Sequence, residues 1–267
     1  MNKKVIITLT TIKGRLKDTH PDGIIACVES LCTQTYNKYE VHFNVPHRCR
    51  FSSEELVIPD WLTTAQTRHT HLKVFRVDDA GPVTKILPTL YRVTDPDIIL
   101  IVVDDDLVYH QDMIAEHIKQ QERFENKCVI GYDGLGCKNG PIFNDVRDHY
   151  VTSIYKDVEV KIVQHYKSVS YYRSYFDETF FTDFLGKTFS DDILLSAYTG
   201  KKGIKKMIVP YEKEPQLLTL EEWRAKGGVT TFPVLRHTWH EQFQGCSDPR
   251  AEERFFIPEE FAKQSLV

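Results

Sequence analysis

The stretch Ile98-Ile-Leu-Ile-Val-Val-Asp-Asp-Asp-Leu-Val108 decides how this chain is read. An unbroken apolar run rich in β-branched residues has the composition of a strand buried on both faces, the kind found inside parallel sheets. The run stops at three adjacent acids, Asp104, Asp105 and Asp106. Carboxylates side by side repel one another, and near neutral pH they need a cation or a strong donor between them. Hard oxygen ligands of this kind suit Mg2+ or Mn2+, ions that often bring substrate phosphates with them. The plainer reading is a solvated turn whose acids cap the next helix.

Strands and helices alternate upstream of this run. Residues 5–12 read as a buried strand. Residues 22–34 read as a helix capped by Asp22, with Ile24, Ile25, Val28, Leu31 and Cys32 on one face. Residues 39–45 form a second strand ended by Pro46, residues 72–77 a third, and residues 83–92 a helix. Residues 47–70 are polar and mixed, with a hydrophobic anchor at 58–62. Beyond the acids, 113–124 and 191–198 read as helices and 129–132 and 206–209 as strands. Residues 150–175, rich in Tyr, Val and Ser, read as strands or loops lining a face. This alternation predicts an α/β fold with a mostly parallel sheet. Such sheets bind ligands beyond the carboxyl ends of their strands, where the three acids sit.

With 267 residues, 41% of them hydrophobic, the chain can build a core without staples. A formal charge of −4 gives no reason to expect nucleic acid or an acidic membrane surface as partner. No apolar run approaches the ~20 residues of a membrane span. The short run after Lys3 and Lys4 reads as the first strand rather than a signal peptide, so a cytoplasmic protein is expected. Cys27, Cys32, Cys49, Cys128, Cys137 and Cys246 show no Cys-x-x-Cys spacing and read as free thiols. A single domain, 1–267, is the simplest organisation.

An apolar strand ending in Asp-x-Asp resembles the metal-binding motif of glycosyltransferases with the GT-A fold. Ile7-Thr-Leu-Thr-Thr-Ile-Lys-Gly-Arg15 is similar to the opening strand and loop of family-2-like members. Asp78-Asp-Ala-Gly-Pro-Val-Thr-Lys85 looks like their donor-binding turn, and Phe189-Ser-Asp-Asp-Ile193 like their catalytic acid pair. These pieces stand in the family's order. The resemblance implies a GT-A-like, Rossmann-like nucleotide-binding sheet, mixed but mostly parallel and flanked by helices. It also implies a nucleotide-sugar donor, a glycan or other hydroxyl acceptor, and inversion at the anomeric carbon. The donor half would be 1–110, the acceptor and catalytic half 111–245, and the tail 246–267.

Carried over residue by residue, Asp104 and Asp106 would ligate Mn2+ or Mg2+. Thr8, Thr10, Arg15, Asp78, Asp79, Lys85, Asp104 and Asp105 would line the donor. Asp192 would be the base, with Asp191 beside it. The plainer reading makes Asp79 part of a surface turn and Lys85 a helical lysine. For the acid pair, Ser190 or Asp191 caps a helix whose positive end both acids stabilise. Some GT-A enzymes take a metal ligand from a C-terminal histidine, which points to His240 or His237 in Arg236-His-Thr-Trp-His240. A lone histidine is more often an ordinary surface or core residue. Trp223 and Trp239 could stack on a sugar or pack in the core. Tyr132, Asp133, Tyr171, Tyr172 and Tyr175 are candidates for acceptor contact.

Three alternatives compete. A haloacid-dehalogenase-type phosphatase would use Asp104 as nucleophile and Asp106 as acid, with Lys187 as its lysine. That family usually carries its nucleophile on the first strand. A nucleotidyltransferase shares the general fold but normally has a glycine-rich basic loop after the first strand, and residues 10–15 are poor in glycine. A non-catalytic sugar-binding module would need no buried acid cluster. The run 134–140 resembles a dinucleotide loop, but Asn139 stands where its third glycine belongs.

Overall fold

Alternation along the first strand sets up both halves of the core. In the computed structural model, which describes residues 3–17, 23–50, 54–135, 150–152, 156–185 and 190–210, β1 spans Val5–Thr10. Val5, Ile7 and Leu9 point to one side of the sheet and Ile6 to the other. β2 (Tyr39–Pro46) and β4 (Ile99–Val102) flank β1, and β3 (Leu72–Val77) lies beyond β2, all parallel.

The Val5 side packs on α2 (Ile24–Cys32), α3 (Asp60–Arg68) and α5 (Met113–Arg123) through Val28, Leu31, Leu62 and Ile114. The Ile6 side, with Leu100 and Val102, packs on α4 (Leu87–Arg92) and α6 (Asp191–Lys201) through Leu90, Leu194 and Tyr198. Helices on both faces explain why all four residues of β4 are buried and apolar.

The remaining strands are β5 (Cys128–Gly131), β6 (Asp133–Leu135), β7 (Tyr150–Thr152), β8 (Val158–Glu159), β9 (Ile162–Val163), β10 (Val169–Tyr172) and β11 (Lys205–Ile208). The main sheet runs β3-β2-β1-β4-β10-β5-β11-β8. β10 is antiparallel to both β4 and β5, whereas β11 runs parallel to β5. A strand inserted in reverse begins where its parallel neighbours end. The residues just before β10 are thereby delivered to the carboxyl edge of the sheet. β6 pairs with β7 and β9 in a small antiparallel sheet. A Cβ on Gly134 would lie 2.6 Å from the Ile162 carbonyl oxygen, so this glycine of the dinucleotide-like run has a packing reason.

Two expectations need correction. The mixed segment 47–70 contains α3. It buries only Leu62 and Ala65, too short a stripe for periodicity to reveal. The helix expected over 83–92 is a 3-10 turn, Gly81–Lys85, followed by α4. Gly81 (φ 77°) starts the turn in the left-handed region, and Pro88 opens α4 where a missing N–H costs nothing. Among the described residues no helix is long and apolar enough to cross a membrane. Cys27, Cys32, Cys49 and Cys128 are free thiols. Cys137, Cys246 and the tail from 246 lie outside the described residues.

α5 is pinned to the sheet by a buried histidine. His117 is 0% exposed, with Nδ1 3.0 Å from Ser170 Oγ and Nε2 2.8 Å from Ser168 Oγ. Burial depresses its pKa from 6.5 to about 3. The unfolded chain therefore binds the extra proton first, and stability is lost as pH falls below about 6.5 toward 3. The slope is about 1.4 kcal/mol per pH unit from this residue. Urea unfolding of wild type and His117→Gln between pH 7 and pH 4 should differ by that slope. Parallel profiles would remove His117 from the acid response.

Candidate active site

The acids lie at the topological switch of the sheet. β2 and β3 leave β1 on one side and β4 returns on the other, and sheets of this kind bind ligands past the carboxyl ends of the strands at that point. Asp104, Asp105 and Asp106 follow β4 at that edge. α1 (Lys13–Leu16), which follows β1, supplies Arg15. Its guanidinium pairs with Asp105 and, at 2.9 Å, with Asp106. Burial works against the charge on Arg15, but Asp105, Asp106 and Asp104 outweigh it and raise its pKa.

Lys85 closes the cluster. Its Nζ lies 2.5 Å from Asp104 Oδ1 and 2.9 Å from Asp191 Oδ2. The strand-end acids and the acid pair of α6 thus share one site. Burial penalises the Lys85 charge, yet Asp104 and Asp191 raise its pKa well above the ordinary value. Asp191 responds in the opposite sense. Burial pushes it up, but the Lys85 ammonium prevails and lowers it. Ser190 caps α6, accepting the Ile193 N–H.

Thr8 requires a correction. It is completely buried, and its hydroxyl donates to the Lys85 carbonyl, which also accepts Asn44 Nδ2–H at 3.1 Å. Thr8 therefore fixes the backbone that carries Lys85 and presents no surface to a donor. Thr10 Oγ donates to the Asn44 carbonyl at 2.8 Å. Asp79 accepts the N–H groups of Arg50 and Gly81, both at 2.8 Å, and so shapes the turn after β3. Asp78 is exposed at the same edge. Asp105 and Asp191 are buried, whereas Asp104, Asp106 and Asp192 keep 21%, 23% and 29% of their side-chain surface.

The acceptor candidates face inward. Tyr132, Asp133, Tyr171 and Tyr172 are buried. Tyr172 donates to Asn126 Oδ1, and Tyr175 reaches the Asn126 and Cys128 carbonyls. His237, His240, Trp223, Trp239 and Lys187 lie outside the described residues. His165, which no motif marks, enters from the turn before β10. Its Nδ1 lies 2.5 Å from Asp192 Oδ1 and 3.5 Å from Asp191 Oδ2. His165, Asp191 and Asp192 each bring a ligand atom within 4.8 Å of the others, a group that could hold a metal ion.

No family model and no curated protein matches the sequence. Solved structures do. The chain is similar to residues 1–349 of S. aureus TarS, with a TM-score of 0.52, 12% identity, and coverage of 98% of this chain and 70% of that one. It is also similar to 4-diphosphocytidyl-2C-methyl-D-erythritol synthase, with a TM-score of 0.51 and 8% identity over 85% and 97% of the two chains. The fold is GT-A-like.

A structure of GalNAc-T7 with UDP, GalNAc and Mn2+ shares this GT-A-like sheet at a TM-score of 0.50, 13% identical over 78% of this chain and 42% of that one. The chain spans 36% of a longer TarS structure. The phosphatase alternative fits poorly, because Asp104 follows β4, the fourth strand among the described residues, and not the first.

The donor set suits a divalent cation. Asp104, Asp105, Asp106, Asp191 and Asp192 outnumber Arg15 and Lys85, so the ion pairs leave negative charge over. Burial pushes the Asp106 carboxyl up to about 6; Arg15 pulls it down, and Asp104 and Asp105 push it further up. Asp105 Oδ2 is buried with no hydrogen-bond partner among the described residues.

Proposed function

We propose that this protein is a glycosyltransferase that moves a sugar from a nucleotide-sugar donor to an acceptor hydroxyl with inversion. The observation that carries this reading is the Lys85 bridge from Asp104 to Asp191, residues far apart in sequence. It sets a charged donor-side cluster against a partly exposed carboxylate, Asp192.

Asp104 and Asp106 would hold Mn2+ or Mg2+, which supplies positive charge to a diphosphate leaving group. Lys85 and Arg15 add fixed positive charge in a site where water is sparse. The Asp192 carboxylate takes the proton of the acceptor hydroxyl as it attacks the anomeric carbon. Asp191, tied to Lys85, stays ionised beside it. Asp78 and Asp79 would meet the base or ribose from the turn after β3.

A nucleotidyltransferase is the second reading, favoured by the likeness covering 97% of 4-diphosphocytidyl-2C-methyl-D-erythritol synthase. Against it stands the segment 10–15, where Gly14 is the only glycine. A thermal-shift screen of nucleoside diphosphates and triphosphates, with and without Mn2+, separates the two. A ligand at 100 times its Kd stabilises the folded state by about 2.7 kcal/mol. The expected result is a Mn2+-dependent shift with one nucleoside diphosphate that is lost in Asp106→Ala. A shift with CTP alone would favour nucleotidyl transfer, and no shift with any nucleotide would sink both.

A further inference from the structure

Behind Asp192 lie two residues, His165 and Tyr171, that the proposed transfer does not use. The His165 side chain has no exposed surface. Its Nε2 lies 2.7 Å from the Tyr171 hydroxyl, and the two rings stack with centroids 5.9 Å apart. Tyr171 is itself completely buried, and burial pushes its pKa well up, so the phenol keeps its proton. A buried phenol O–H is best satisfied by donating to the one acceptor within reach. Among the described residues the only partner of the Tyr171 hydroxyl is His165 Nε2.

Nε2 therefore accepts, and the ring carries its proton on Nδ1. Nδ1–H points at Asp192 Oδ1, 2.5 Å away. The same oxygen accepts the backbone N–H of His165 at 3.0 Å. Asp192 Oδ1 is thus held by two donors from one residue. Oδ2 accepts no hydrogen bond among the described residues, and the side chain is 29% exposed.

We propose that His165 is a positioning residue: held in its Nδ1–H tautomer by Tyr171, it clamps Oδ1 of Asp192 and leaves Oδ2 free to meet the acceptor hydroxyl. This rests on the reading of Asp192 as the base. It also assigns the cation to the Asp104 and Asp106 side of the site. Nδ1 has no lone pair to offer a metal, so ligation by His165 would require breaking its hydrogen bond to Asp192.

Nuclear magnetic resonance of the full chain with 15N-labelled histidine tests the tautomer without any substrate. His165 signals are identified by their loss in His165→Asn. The expected result is a protonated Nδ1, an unprotonated Nε2, and a downfield Nδ1 proton that moves upfield in Asp192→Asn, where a neutral amide replaces the carboxylate. A proton on Nε2, or an Nδ1 proton indifferent to Asp192→Asn, overturns the proposal.

The variants at position 165 carry the second arm. Asn places a donor where Nδ1 stands and Gln places one where Nε2 stands. With the donor chosen by the diphosphate screen, His165→Asn should retain kcat. His165→Gln should lose about 100-fold, the cost of a misplaced catalytic group, at unchanged KM. Equal losses in both overturn the positioning role. If the tautomer is as stated and Asp192→Asn transfers sugar at the wild-type rate, the error lies in the base assignment and the clamp stands as a structural contact.

Discussion

Lys85→Met should cost about 3–5 kcal/mol of folding stability near neutral pH, the loss typical of breaking a buried ion pair by removing one partner. The methionine fills the space of the lysine stem but removes the ammonium that bridges Asp104 and Asp191. Asp191 is 92% buried at its side chain, so water cannot make up the difference. In the wild type its folded pKa is depressed below the unfolded 3.8. That contribution is present above about pH 4 and is lost as pH falls through the folded pKa. The wild type and variant should therefore differ most near pH 7 and converge in acid. Mn2+ should recover part of the loss, since a divalent cation can replace the ammonium between the acids. Urea unfolding at both pH values, with and without Mn2+, reads all of this. Equal stability at pH 7 would mean that Lys85 does not neutralise this site.

Asp192→Asn should lower sugar transfer by about 10²–10⁴-fold, the range for a lost general base, with nucleoside diphosphate affinity unchanged. The amide has the same shape and can still accept from His165 through its oxygen, so what disappears is the ability to take a proton. Asp191→Asn makes the contrast. It removes a partner of Lys85 and should show its effect first in stability and donor binding. Single-turnover rates together with diphosphate titrations distinguish the two variants. Full transfer by Asp192→Asn would move the base elsewhere.

The parts of this protein legible in its sequence are those where one side-chain pattern has one physical cause. The apolar run of β4 can only be a strand covered on both faces, and the acids after it can only sit at its exposed end. The third strand, 72–77, is bounded as expected because its flanks, His71 and Asp78, break the apolar pattern. What sequence could not supply was the partner of each charge. The three acids called for a cation, and two were already in the chain, Arg15 and Lys85. Thr8 entered the donor set through the resemblance of residues 7–15 to a family's opening strand and loop, yet its buried hydroxyl turns toward the Lys85 carbonyl and Thr89 of α4. His165 was invisible for a topological reason. Only the reversed entry of β10 carries it to the carboxyl edge, and neither its neighbours nor its spacing announces that reversal.

The same reversed strand has a cost while the protein is being made. β10 covers one edge of β4, and it is translated only after α5 and, among the described residues, five further strands. At about 5–20 residues per second, the nascent chain spends seconds with its most apolar strand unpaired along that side. A bare, uncharged strand edge is what chaperones bind and what stray strands of other chains can pair with. Any fragment that stops before residue 169 keeps that edge open indefinitely. The donor half is thus a poor choice for separate expression, although it holds most of the residues that would bind the nucleotide.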